Sequence, residues 1–333
     1  MARRSDNATC AALHPAGADR GAIVRILIAY DGSAGSEQSL TLADSVDWPA
    51  HSSLRVAAVI EPMMPFVGAR MTGGFDIPSP EVDAEITAYQ QEQVTKAADK
   101  LRSGGRTVEG VVLRGRPATA LVDEATRSGA DLVIVGSRGH GRIARLLLGS
   151  VSAEVVDHAR CPVLVSRTAS IERVILAADG SGPSAAAESV IATWPIFEHL
   201  PIQVVSVADV VEPWHTGIAP TMYHEAIEAH AKDLAEARAN HARIAAETTA
   251  RLRGVGRQAE SIVRTGDAAA EIISAAADVA ADLVVMGSRG RTGFTRVVLG
   301  SVARNVLHGS TASVLVVHDP GASDGGEVEG PST

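Results

Sequence analysis

The chain has 333 residues, room for two domains of roughly 150 residues that could each bury a core. Apolar residues make up 46% and charged residues 21%, which excludes wholesale disorder. A net charge of −9 and only 3% aromatics exclude a broad nucleic-acid surface, because an acidic chain repels phosphate and offers few rings for bases to stack on. A local anion site stays open, since backbone N–H groups bind phosphate without any cation.

In chain order, residues 1–22 read as a disordered tail. They hold Arg3, Arg4 and Cys10 but no apolar run of the kind a secretory signal needs. Short aliphatic runs then predict strands over 23–29, 54–60, 107–113, 131–136 and 162–166. Between them, helices are predicted over 36–46, over 81–102, from Pro117 to near Gly129, and from Ser150 onward. A short join, Thr168 to Glu172, leads into strands over 173–178, 202–208, 258–263, 282–286 and 313–318. The longest helix is predicted over 222–253, and residues 320–333 read as a second disordered tail. The expected domains are therefore 23–168 and 172–319. Alternation of this kind calls for a parallel sheet with helices on both faces. No apolar run approaches the ~18 residues of a membrane span. Cys10 and Cys161 are the only cysteines, too few for a disulfide framework. The expectation is a cytoplasmic protein with no membrane contact.

The chain is one unit written twice. Residues 136–149 read GSRGHGRIARLLLG and residues 287–300 read GSRGRTGFTRVVLG, at an offset of 151. Nine of the sixteen aligned positions from Gly136 to Val151 are identical. Asp31-Gly32-Ser33 recurs as Asp179-Gly180-Ser181 at an offset of 148.

Both halves carry Gly-x2-Gly-x9-Gly-Ser, at Gly136, Gly139, Gly149, Ser150 and at Gly287, Gly290, Gly300, Ser301. Glycines at the end of the fourth strand would make a tight turn and admit a ligand against the backbone. Gly149 with Ser150, and Gly300 with Ser301, would present unpaired N–H groups at a helix start, where the dipole favours anions. A βα turn favours Gly and a helix start favours Ser for local reasons, but two copies at one spacing point to a phosphate chain. Arg138 and Arg289 recur beside the glycines and could meet phosphate.

On these residues the chain resembles the universal stress protein family in its tandem two-domain form, over about residues 22–318. The resemblance implies two tandem doubly wound five-stranded sheets, Rossmann-like and of the adenine-nucleotide α-hydrolase-like type, each ordered 3-2-1-4-5 and related by a pseudo-two-fold at their last strands. It implies one ATP per half, with Mg2+ bound through the phosphates. The Gly-Ser motif and the following Val151 and Val302 would hold phosphates and ribose. Asp31 and Asp179 would contact the nucleotide near ribose and adenine, and the backbones of Val59 and Val207 would read the adenine edge. The implied role is a nucleotide-dependent switch acting on an unidentified regulatory partner. The two repeats would form an intramolecular pseudo-dimer, with a homodimer of whole chains left open.

Other readings are weaker. GHGRIA (139–144) fits a dinucleotide fingerprint but follows strand four, not strand one. No Walker loop exists, since Arg142 stands where Lys is required. Asp31 and Asp179 also read as turn residues bonding their own backbone, and Ser33 and Ser181 as helix caps. The apolar loop 62–78, and its counterpart with Trp214 and His215, read as a lid over adenine or as packing between halves. Trp48 and Trp194 read as fillers of core or interface. His224 and His230 lie six apart on a helix and show no metal spacing. A slow ATPase or nucleotide hydrolase in the same pockets, and a flavin module, remain alternatives.

Overall fold

The computed structural model describes residues 24–49, 51–62, 80–102, 106–137, 139, 148–209, 223–290 and 299–318. The tails, Arg138, most of the loop 62–78, and Trp214 with His215 lie outside these residues.

The first half runs β1 (Arg25–Ala29), α1 (Ala34–Ser45), β2 (Ser53–Ile60), α2 (Pro80–Leu101), β3 (Thr107–Arg114), α3 (Pro117–Ser128), β4 (Leu132–Gly136), α4 (Ser150–His158) and β5 (Val163–Ser166). The second runs β6 (Val174–Ala177), α5 (Gly182–Thr193), β7 (Pro201–Ala208), α6 (Tyr223–Gly254), β8 (Gln258–Thr265), α7 (Ala268–Asp278), β9 (Leu283–Gly287), α8 (Ser301–Gly309) and β10 (Ser313–Val317). Every expected strand is present, with ends moved by one or two residues.

The strands form one ten-stranded sheet, ordered β3-β2-β1-β4-β5-β10-β9-β6-β7-β8. Within each half all pairs are parallel, in the order 3-2-1-4-5. The halves meet where β5 pairs antiparallel with β10, Leu164 opposite Leu315. These two leucines are equivalent at the repeat offset of 151, so the pseudo-two-fold passes between them. An edge strand with unpaired N–H and C=O groups is satisfied by its own counterpart.

The strands are buried on both faces and so read as unbroken aliphatic runs, Ile26, Leu27 and Ile28 being at most 1% exposed. One core layer lies under α1, α2, α5 and α6, the other under α3, α4, α7 and α8, and each runs through both halves. Trp48 is a core residue whose ring N–H donates to Ala43 O at 2.7 Å, and Trp194 packs on the same layer in part. The join is held by the buried Ser313 hydroxyl, which accepts from the N–H groups of Arg167 (2.9 Å) and Thr168 (3.1 Å).

Candidate functional site

Strand order reverses at β1, whose neighbours β2 and β4 are reached by connections running opposite ways. Ligands in open α/β sheets lodge at that switch, beyond the strands' carboxyl ends. A cavity of about 630 Å³ opens there in the first half, and one of about 410 Å³ beside β6 in the second. Their walls correspond by repeat position: Ala29 with Ala177, Val59 with Val207, Leu121 with Ile272, Ser150 with Ser301.

The floor is the small, apolar end of the sheet. Ala57 O accepts from Tyr30 N–H at 2.8 Å, so alternate residues of β2 turn their polar groups toward β1. Val59, two residues on, has the same orientation just past the end of β1. Val205 O accepts from Ala178 N–H at 2.9 Å and sets Val207 in the same way.

The carboxylate of Asp31 belongs to a turn as well as to the cavity wall. Its Oδ1 accepts from Ser33 N–H at 2.9 Å, and Asp179 Oδ1 accepts from Ser181 N–H at 2.9 Å. The turn passes through Gly32 and Gly180, both at φ +76°, a left-handed region that penalises a Cβ. Ser33 and Ser181 then cap α1 and α5 by accepting from the N–H three residues on.

The motif glycines divide their work in an unexpected way. A Cβ on Gly136 would lie 2.7 Å from the Gly35 carbonyl carbon, and one on Gly287 would lie 2.6 Å from that of Pro183. These two glycines admit the first turn of α1 or α5 against the sheet. Their missing Cβ therefore serves helix packing, and both glycines also line the cavities. The second glycines, which line the cavities too, lie against the aspartates: a Cβ on Gly139 would meet Asp31 Oδ2 at 2.8 Å, and one on Gly290 would meet Asp179 Oδ2 at 3.0 Å.

Gly149 and Gly300 are the N-caps of α4 and α8, and no side chain caps either helix. The first helical bonds run from Ala153 N–H to Gly149 O and from Arg304 N–H to Gly300 O, both 2.9 Å. The N–H groups of Ser150, Val151 and Ser152, and of Ser301, Val302 and Ala303, stand ahead of those bonds and line the cavities. By contrast α1, α5 and α7 all have side-chain caps. Arg289 lines the second cavity. Each site thus sets a helix dipole's positive end and a set of donors beside a carboxylate and an apolar slot.

Three features escaped the sequence reading. The Ser152 hydroxyl donates to Gly136 O at 2.6 Å, tying α4 to the end of β4. Behind the first cavity, the Tyr30 hydroxyl donates to Glu37 Oε1 at 2.8 Å, and Lys100 Nζ donates to Glu37 Oε2 at 2.7 Å. Burial pushes the Tyr30 hydroxyl up to about 12, and Lys100 holds Glu37 below the usual carboxylate range. The second half has Ala178 and Ala185 at these positions. There the Ser206 hydroxyl donates to Ala178 O at 2.6 Å and shares a hydrogen bond with His241 Nδ1 at 2.9 Å. A repeat alignment marks Tyr30 as a departure but cannot say which side chains gather behind it.

The model of the Universal stress protein family matches residues 23–167 and again 170–318. A universal stress protein of Mycolicibacterium smegmatis is 31% identical over 307 residues, covering 88% of this chain and 96% of that protein. One from Thermus aquaticus is 33% identical over 142 residues, covering 43% of this chain and 97% of that protein. The crystal structure of a universal stress protein from Archaeoglobus fulgidus superposes with a TM-score of 0.60 over 89% of this chain and 98% of that one, at 18% identity, a likeness of fold.

Proposed function

Because the chain belongs to the universal stress protein family, with the family's domain written twice, we propose that it binds one ATP in each half and acts as a nucleotide-dependent switch. The observation that carries this reading is the pair of uncapped N-termini, α4 and α8, each opening into an equivalent cavity. A triphosphate supplies the acceptors these N–H groups need, and the helix dipole favours its charge. Gly139, Gly149, Ser150 and Val151 would take the phosphates and ribose in the first half, and Gly290, Gly300, Ser301 and Val302 in the second. Arg138 and Arg289 would support the phosphates. Gly136 and Gly287 would border the nucleotide in the cavities and also seat α1 and α5. Asp31 and Asp179 would accept from a ribose hydroxyl through the oxygen turned toward Gly139 or Gly290. The outward amides of Val59 and Val207 would read adenine. Magnesium would arrive with the phosphates.

The repeats, joined through β5 and β10, would behave as an internal pseudo-dimer over domains 23–168 and 172–319. A change at one helix N-terminus would be felt in the shared sheet. Such a molecule would present its nucleotide state to a protein partner in the cytoplasm. Among the described residues, no helix is long and apolar enough to cross a membrane.

The test is to denature the purified chain, quantify released nucleotide, and titrate the emptied protein with magnesium-ATP. The expected result is about two adenine nucleotides per chain, one for each cavity. No bound nucleotide and no uptake on titration would overturn the reading. Steady turnover abolished by Asp31→Ala with Asp179→Ala would make it an enzyme instead.

A further inference from the structure

At the opposite end of the sheet, the second half holds another cavity, of about 450 Å³, below the amino ends of β6, β7 and β8. Its wall includes three arginines, Arg173, Arg253 and Arg257. We propose that this cavity is a binding site for a small oxyanion, a phosphate group foremost, distinct from the nucleotide pockets.

The argument is a comparison of the two halves. The first half has the same three arginines by repeat position, Arg25, Arg102 and Arg106. Each has a carboxylate: Arg25 is 3.8 Å from Asp131, Arg106 is 3.4 Å from Asp44, and Arg102 is bonded to Asp99. In the second half the counterparts of Asp44 and Asp99 are Ala192 and Ala250. The counterpart of Asp131, Asp282, is kept: its Oδ2 accepts from the backbone N–H groups of Glu172 (2.9 Å) and Arg173 (3.0 Å), as Asp131 Oδ2 accepts from Arg25 N–H (2.8 Å), while the Arg173 guanidinium turns to a carbonyl. The second repeat has all three cations and lacks two of the three carboxylates.

What remains around them is carbonyl oxygen. Arg173 donates to Val279 O at 2.8 Å and Arg253 to Ala259 O at 2.7 Å. Arg257, only 7% exposed, donates to the carbonyls of Ile191 (2.9 Å), Ala192 (2.8 Å) and Trp194 (3.0 Å) at the end of α5. Carbonyls orient these groups without cancelling their charge. Glu260 lines the cavity and Glu198 lies near Arg257, but neither forms an ion pair with the three arginines. Three arginines without a salt bridge among the described residues therefore line one cavity, where a tetrahedral anion would meet more than one cation at once.

The decisive variant restores the first half's carboxylates while keeping every arginine. Ala192 is half-buried and Ala250 exposed, so Ala192→Asp with Ala250→Asp fits the fold. Calorimetric titration of the full chain with inorganic phosphate should show a binding step that this double variant weakens about tenfold or more. Arg173→Ala with Arg253→Ala should do the same. Arg25→Ala with Arg102→Ala in the first half should leave it unchanged. Glycerol phosphate, titrated alongside, tells a phosphorylated metabolite from free phosphate by which binds more tightly. Magnesium-ATP binding at the other end should survive both second-half variants, so failure here is separate from failure of the switch reading. Phosphate binding equal in wild type and in the Asp-restored variant, or no binding at millimolar phosphate, would overturn the proposal.

Discussion

The absence of one methylene-sized group at Gly136 decides how closely α1 can approach β4. In Gly136→Ala the new Cβ would press on backbone, not on a side chain that can turn aside. Such overpacking costs about 1–3 kcal/mol, so urea denaturation should show the loss, and Gly287→Ala should match it. Gly139→Ala would instead press on the Asp31 carboxylate and should weaken nucleotide binding more than stability. A second residue of this kind is Glu124, only 3% exposed yet bonded by Arg55 at 2.5 Å and Arg127 at 2.7 Å. Arg55→Met leaves the buried carboxylate with one partner, and chemical denaturation should register a loss of about 1–3 kcal/mol.

Among the elements, α4 and α8 start at some cost to plain stability, as α3 does: none of the three has a side-chain cap. A good cap would have satisfied their first N–H groups, as Ser33 does for α1 and Asp267 for α7. Ser150→Asp separates the two demands. A carboxylate in the first turn favours the helix by about 0.3–1 kcal/mol, so thermal stability should hold or rise. The same charge repels phosphate, so ATP binding in the first half should fall by about tenfold or more while the second half keeps its own. A parallel fall from Ser301→Asp in the second half would complete the pair. Unchanged ATP affinity in both variants would remove the helix ends from the site.

For the whole molecule, the antiparallel β5–β10 pair makes one sheet and two continuous core layers out of two copies. The halves should therefore unfold together. Fluorescence of Trp48 alone and of Trp194 alone, with the other tryptophans changed to Phe, should give one denaturant midpoint. Across the same junction, α4 and α8 receive reciprocal contacts at equivalent positions. His318 Nε2 meets Val156 O of the first half at 3.0 Å, and the Arg167 guanidinium donates to Leu307 O of the second. His318 is largely buried, and burial depresses its basicity, with Arg289 adding repulsion and Asp157 opposing; Asp157 also pairs with Arg304 at 3.3 Å. In the unfolded chain His318 takes up a proton near pH 6.5, whereas the folded protein resists it until lower pH. Stability present above that value should thus decline as pH falls below it. His318→Gln should flatten the decline, measured as denaturant midpoints between about pH 7.5 and 5.5.

The sequence by itself determined the kinds of element, their order, the duplication and the strand ends at which the two cavities open. Each of these is written in neighbouring residues: unbroken aliphatic runs for doubly covered strands, Asp-Gly-Ser for the turn after β1, Gly-Ser ahead of α4 and α8. Only the tertiary structure decided what Gly136 is for, because its near neighbour Gly35 is a hundred residues away in the chain. The Tyr30–Glu37–Lys100 cluster and the cavity of Arg173, Arg253 and Arg257 likewise join residues from separate elements. Local periodicity tells which face of an element is covered but not what covers it. That depends on packing between distant segments, and it is there that two halves of one fold became different.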